Sequence, residues 1–416
     1  MRLISPPAAP ARPLAVNDFW SGVDAPDVVG EDIEVSGSRG VRATGSFWTV
    51  RQRQACSLHE VSYRACFKPQ LPRFFIDRLT KPGDVVYDPF SGRGTTGIEA
   101  GLRGRRVIIN DANPLGVLLA RPRFFIPDLS ELEARLRSID LTKNRRADMD
   151  LSMFYHAQTE SALVGLKTYL EERARAKSED ELDHWIRMVA TNRLTGHSSG
   201  FFSVYSLPPN QAASPAGQLK INARLKQTPE PRDVVKIILK KSRNLISDLT
   251  GEETVRLRDA GTSGLFLCND ARRTEDITDA SVHLVVTSPP FLDVVQYAQD
   301  NWLRFWFNGI SAEETGARLT MHRRLADWSH AMGDVFKELF RVVVPHGWVA
   351  FEVGEVRKGQ IKLEEAVVPL GVAAGFRFEG ILINQQMFTK TSNIWGVSNN
   401  GKGTNTNRIT LFQKSI

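Results

Sequence analysis

From Asp84 to Pro114 the chain reads DVVYDPFSGRGTTGIEAGLRGRRVIINDANP, and no other stretch limits so tightly what the rest can fold into. Val85-Val86-Tyr87 is a short apolar run that halts at Asp88-Pro89, the pattern of a buried strand. Phe90-Ser91-Gly92-Arg93-Gly94 then supplies a turn, because Gly92 and Gly94 can take backbone angles closed to other residues. Thr95 to Leu102 is predicted to run as a helix whose first amides point into that turn. Val107-Ile108-Ile109 follows as a second buried strand ending at Asp111. The outcome is one βαβ unit with an acid at each strand tip, and open parallel sheets bind ligands at those carboxyl ends. Asp88, the glycine turn and Asp111 are therefore expected to line one crevice, with Asp111 placed to take ribose hydroxyls. Gly97 formally completes G-x-G-x-x-G, yet such turns also serve tight helix packing, and the leading Asp-Pro-Phe suits a nucleoside without a pyrophosphate.

A second apolar strand, Leu284-Val285-Val286, runs straight into Thr287-Ser288-Pro289-Pro290-Phe291. Two successive prolines remove two amide donors and hold the chain extended. The Ser288 hydroxyl and the neighbouring carbonyls are left as acceptors, with Phe291 as a flat apolar wall. That set suits a planar ring carrying an amino group.

At these residues the chain resembles the amino-methylating DNA methyltransferases, which methylate cytosine or adenine at the exocyclic amine. Asp88 to Thr96 is similar to their cofactor loop, and Thr-Ser-Pro-Pro-Phe to their catalytic loop. The resemblance implies S-adenosyl-L-methionine as cofactor, with Asp88, Pro89, Phe90, Ser91, Gly92, Gly94, Thr95, Thr96, Asp111 and Asn113 around it. It also implies Lys68 beside the methionine end and Asp270 near the adenine. Ser288, Pro289, Pro290 and Phe291 take the catalytic role. The implied fold class is α/β, a seven-stranded, mostly parallel, Rossmann-like methyltransferase sheet, with a mainly helical insert domain. Residues 46–125 and 263–416 are assigned to the catalytic domain, 126–262 to the insert, and 1–45, rich in Pro, Ala, Gly and Ser, to a loosely ordered arm.

The insert is where duplex DNA contacts are expected. The net charge of +7 makes a polyanion a plausible partner. Within 126–262 the cations Lys220, Arg224, Lys240, Lys241 and Arg243 follow Tyr205, Asn210 and Gln211, side chains suited to phosphates and base edges. A solvated helix face would carry the same charges. Phe201 to Ser206 reads as strand-like, and Asn399 and Lys402, in a late Ser, Asn and Gly loop, are added to the contact set. The family's common arrangements place the recognition segment elsewhere, whereas here the insertion falls between the second and third strands.

Three scattered cysteines, Cys56, Cys66 and Cys268, give neither a disulfide framework nor a metal pattern, and no metal is expected. None sits in a Pro-Cys loop, which argues against methylation at a ring carbon, a reaction that needs a thiol nucleophile. With neither a signal peptide nor a membrane span legible, a cytoplasmic protein is expected. Serine at the head of the Pro-Pro loop leans the reading toward cytosine N4. Adenine N6, an RNA methyltransferase of the same fold and a catalytically silent nucleic-acid binding protein follow as alternatives. A cognate restriction endonuclease is the further partner such a family implies.

Overall fold

The computed structural model describes residues 19–20, 28–48, 55–64, 66–290, 297–319, 322, 324–356, 361–385 and 406–415. Its strands, in chain order, are β1 (Val29–Val35), β2 (Ser38–Gly45), β3 (Val85–Asp88), β4 (Arg106–Asn110), β5 (Leu265–Leu267), β6 (Val282–Thr287), β7 (Val343–Val353), β8 (Glu355–Val356), β9 (Ile361–Lys362), β10 (Phe376–Gln385) and β11 (Thr406–Lys414). Nine of them form one sheet in the order β1-β2-β10-β11-β7-β6-β3-β4-β5. β11 runs antiparallel to both its neighbours, and β1 antiparallel to β2; the other pairings are parallel.

The expectation of seven strands is thus corrected to nine in a mixed sheet. The two extra strands come from the stretch read as a loosely ordered arm. Residues 29–45 form a hairpin whose second strand pairs with β10, Val41 opposite Gly380 and Ala43 opposite Leu382. Composition hid it, because the exposed Glu31, Asp32 and Glu34 on the edge strand β1 and Arg39 and Arg42 on β2 leave no continuous apolar run.

Alternation along the central strands builds two cores. Val86, Val107, Ile109, Leu284 and Val286 pack with the helices Gln70–Leu79 and Thr95–Leu102, while Val85, Tyr87, Ile108 and Val285 pack with the helix Leu325–Val342. The insert adds to the first of these. Leu163, Trp185 and Ile238, from the helices Ala157–Arg175, Glu181–Arg193 and Val234–Leu245, belong to the same buried cluster as Phe75 and Ile98. Trp185 is fully buried and donates its indole N–H to Ser242 Oγ at 2.9 Å. Truncating it to alanine should cost roughly 3–5 kcal/mol. Helix Gly251–Ser263, at the end of the insert, packs on helix Thr95–Leu102 through Leu257 and leads directly into β5, so it is the crossover from β4 to β5.

Two expectations in the insert change. Residues 201–206 are a series of bends with a single bridge, Gly196 to Tyr205, in place of a strand. The basic run from Lys220 to Arg243 is two helices, Pro215–Leu225 and Val234–Leu245, broken at a proline-rich turn. Among the described residues no helix is long and apolar enough to cross a membrane.

Candidate active site

The glycine turn is held from both ends. Gly92 and Gly94 have φ of +52° and +78°, in the left-handed region, and Gly94 is the N-cap of helix Thr95–Leu102. A Cβ on Gly97 would lie 2.4 Å from Ile109, so that residue sets how closely the helix can approach β4. Helix and turn are anchored on residues 57–61. Arg93 donates to the carbonyls of His59 and Val61 at 3.0 and 2.9 Å, and the buried Arg123 to that of Leu58 at 2.8 Å. Within the helix, Glu99 is fully buried and accepts from His59, Arg73 and Arg103. Burial alone would raise its pKa, but the His59 hydrogen bond and the two guanidiniums hold it down at about 2.

The two strand-tip acids behave differently from free carboxylates. Asp88 is buried and accepts from Thr287 Oγ1 at 2.6 Å and from the Phe90 amide at 3.2 Å, joining the tips of β3 and β6. Burial pushes its pKa up to about 7 against those donors. Asp111 accepts from the Gly92 amide at 2.7 Å and the Asn113 amide at 2.8 Å, and burial raises it to about 6. Thr96 donates to the Val286 carbonyl at 3.0 Å, a further tie between the turn and β6.

One cavity opens along the carboxyl ends of the strands. Pro89, Phe90, Ser91, Gly92, Thr95, Asp111, Asn113, Asp270, Ser288, Pro289 and Pro290 all line it. The two loops read from sequence therefore meet in a single space. Ser91 Oγ is buried there with no partner among the described residues, a polar atom available to a ligand. Asp88, Gly94 and Thr96 stand behind the wall and brace it, and Lys68, part-buried, does not line it. Asp270 is at the wall but its carboxylate already takes the Arg272 guanidinium, with Arg272 Nε at 2.9 and 3.0 Å. Phe291 lies outside the described residues, as do Asn399 and Lys402.

Residues missed in the sequence complete the cavity. Tyr63, Cys66 and Phe67 line it, the first two packed close against Gly92 of the turn. Glu352, a buried acid on β7, accepts the Ser288 hydroxyl on Oε2 and the Asn407 side-chain N–H on Oε1 at 2.9 Å. Burial raises its pKa, opposed by those two donors. Its signal in the sequence was an acid inside the apolar run Val349-Ala350-Phe351-Glu352-Val353. Trp328 donates its indole N–H to the Pro290 carbonyl at 2.9 Å and fixes the end of the Pro-Pro segment.

The basic candidates separate on burial. Lys220, Arg224, Lys240 and Arg243 are exposed, and Tyr205 is 39% exposed. Lys241 is corrected: it is buried against Glu60 at 3.2 Å, and burial lowers its pKa, so it serves the insert's core. Gln211 accepts from Arg64 at 3.1 Å, Asn210 Oδ1 is buried, and the Pro209 carbonyl beside them accepts from Arg304 at 2.7 Å.

Residues 24–118 match the N6/N4 methyltransferase family model described as DNA methylase. Over 84 residues the chain is 36% identical to the type II methyltransferase M.XycI of Xanthomonas campestris pv. cyanopsidis, covering 20% of this chain and 27% of that protein. It is 39% identical over 70 residues to the type II methyltransferase M.PvuII of Proteus hauseri, covering 17% and 21%. The chain thus spans about a quarter of the length of these relatives. Among solved structures, a SAM-dependent methyltransferase from Methanosarcina mazei aligns over 82% of this chain and 97% of its own, with 10% identity and a TM-score of 0.32.

Proposed function

We infer that this chain, a member of the amino-methylating DNA methyltransferase family, transfers a methyl group from S-adenosylmethionine to the exocyclic N4 of a cytosine turned out of duplex DNA. The observation that carries the reading is the shared cavity, in which the glycine turn and the Ser-Pro-Pro segment face one space. S-adenosylmethionine, when bound, supplies a sulfonium methyl group. The turn at Ser91 and Gly92 would hold it, with Asp111 on its ribose and Asp270 toward its adenine.

An exocyclic amine is a poor nucleophile because its lone pair is delocalised into the ring. Ser288 gives its own hydrogen to Glu352, so its oxygen is turned into an acceptor for an amine hydrogen, and the Pro289 carbonyl takes the other. Both contacts favour a pyramidal nitrogen. Once the amine carries the transferred methyl group, Ser288 would take its surplus proton while the serine hydrogen passes to Glu352. Burial, which favours the protonated form of Glu352, suits it to that task. Serine in place of an acid at the head of the loop supports cytosine as the target.

Long-read sequencing of DNA from a methylation-free host expressing the protein, with mass spectrometry of its nucleosides, tests this. N4-methylcytosine at a recurring motif is expected. N6-methyladenine would overturn the choice of base, and S-adenosylmethionine binding without any modified DNA base would overturn the activity.

A further inference from the structure

We propose that the helix Pro215–Leu225 is the element that enters a groove of the DNA duplex, with the stripe Ala216, Leu219, Lys220, Ala223 and Arg224 as its contact face; this rests on the DNA methyltransferase reading above. These five residues are all exposed, and their spacing of i, i+3, i+4, i+7 and i+8 places them on one side of the helix. Only Gln218 of this helix is buried. A helix in a globular core buries its apolar side; here Leu219 is 55% exposed on the outward face.

The attachment combines the partly buried Ile221, packed against the first core, with a set of side-chain amides. Gln218 donates to the Tyr205 carbonyl at 2.9 Å, Gln227 to the same carbonyl at 2.8 Å, and Asn222 to the Met153 carbonyl at 2.8 Å. The helix is therefore rigidly placed without being covered. Its place is beside the active site. Just ahead of it, the Ala212 amide binds the Asp300 carbonyl at 2.9 Å, Trp302 donates to the Ala213 carbonyl at 3.0 Å, and Gln211 accepts from Arg64, which lines the cavity.

The chemistry of the face selects the occupant. Residues 215–226 carry Lys220, Arg224 and Lys226 and no acid, and none of the three forms an ion pair among the described residues. In the neighbouring basic helix the cations are divided: Lys241 is paired with Glu60 and Arg243 lies 3.9 Å from Glu133, while Lys236 and Lys240 are exposed. Unpaired cations fit phosphates. Ala216 and Ala223 keep the face narrow, and Leu219 offers an apolar contact for a thymine methyl. Eleven residues give a rod of about 16 Å, enough to lie across a major groove about 12 Å wide.

The test uses the full chain, sheared genomic duplex DNA as probe, and two variants, Lys220→Ala/Arg224→Ala and Ala223→Trp. Calorimetry with S-adenosylmethionine should give wild-type affinity for both, showing that the fold is intact. The double variant should lower the slope of log affinity against log salt by about 1.8, two phosphate contacts at about 0.9 each. The tryptophan should abolish duplex methylation. Wild-type slopes and methylation in both variants would overturn the docking face and leave the methyltransferase reading standing. A wild-type protein that bound single-stranded RNA and no duplex would overturn both. A dimer of the wild type that Ala223→Trp dissolves, with duplex binding kept, would show that the face meets a second copy and would overturn the proposal.

Discussion

The tips of β4 and β6 face the same cavity, yet they are built in opposite ways. At the β4 tip, Asp111 spends its oxygens on the amides of Gly92 and Asn113, the first 19 residues before it and the second its neighbour but one. The carboxylate's own partners are local, and the strand tip is tied to its neighbour by the Asp111 amide on the Leu267 carbonyl. At the β6 tip, Ser288 hands its hydrogen to Glu352, 64 residues further on, and Glu352 is held in turn by Asn407, another 55 along. That arrangement is assembled by the sheet and has a proton to move. On the proposed function, the difference separates holding a ligand from acting on one.

The largest effect should come from the β6 tip. Ser288→Ala should cut single-turnover methylation by about 10²–10³-fold, the usual loss for one donor or acceptor aimed at the transition state, with little change in affinity for cofactor or DNA. Equal losses in rate and in cofactor affinity would mean that the two tips are not functionally distinct. Glu352→Gln should follow, with a loss of about 10²-fold. As a proton acceptor Glu352 must be ionised, so wild-type turnover should fall as pH drops through its raised pKa, and the glutamine variant should lose that limb. A pH profile identical in both proteins would remove Glu352 from the proton path.

At the β4 tip the expected cost lies in binding. Asp111→Ala should weaken S-adenosylmethionine by about tenfold, near 1.4 kcal/mol, with the rate at saturating cofactor largely kept. Calorimetry showing unchanged affinity in a folded variant would take Asp111 out of the site. The smallest effect concerns stability. Asp88 and Asp111 have folded pKa values raised to about 7 and about 6, so between about pH 4 and 7 the native state holds more protons than the unfolded chain. Their contribution to stability should therefore decline as pH rises through that window. Asp88→Asn should flatten the decline in melts taken from pH 4.5 to 8. Glu99, held at about 2, acts oppositely, its contribution being lost as pH falls from about 4.5 toward 2.

The contrast also explains what could be read beforehand. The βαβ unit around Gly92 was legible because its apolar runs, glycines and acids lie within one short stretch, and helix Thr95–Leu102 falls where the spacing put it. The Ser-Pro-Pro segment was legible as a motif, but its partner was not, since nothing in the order of residues brings Glu352 to Ser288. Lys241 shows the limit of charge as a signal: it sits in a basic run with Lys240 and Arg243, and only the packing of helix Val234–Leu245 turns it inward to Glu60. The hairpin at residues 29–45 escaped for a related reason, its pairing partner being a strand more than three hundred residues away.

β11 has one more consequence, and it concerns time. It lies between β7 and β10, so the hairpin β1–β2 reaches the parallel strands β7, β6, β3, β4 and β5 only through it. Asn407, which holds Glu352, is on that same strand. Strand pairings distant in sequence form slowly, after local structure. The nascent protein can shape its glycine turn early, but it cannot set the orientation of Ser288 until β11 closes the sheet. On the proposed function, capacity to bind should thus precede capacity to react as each molecule folds.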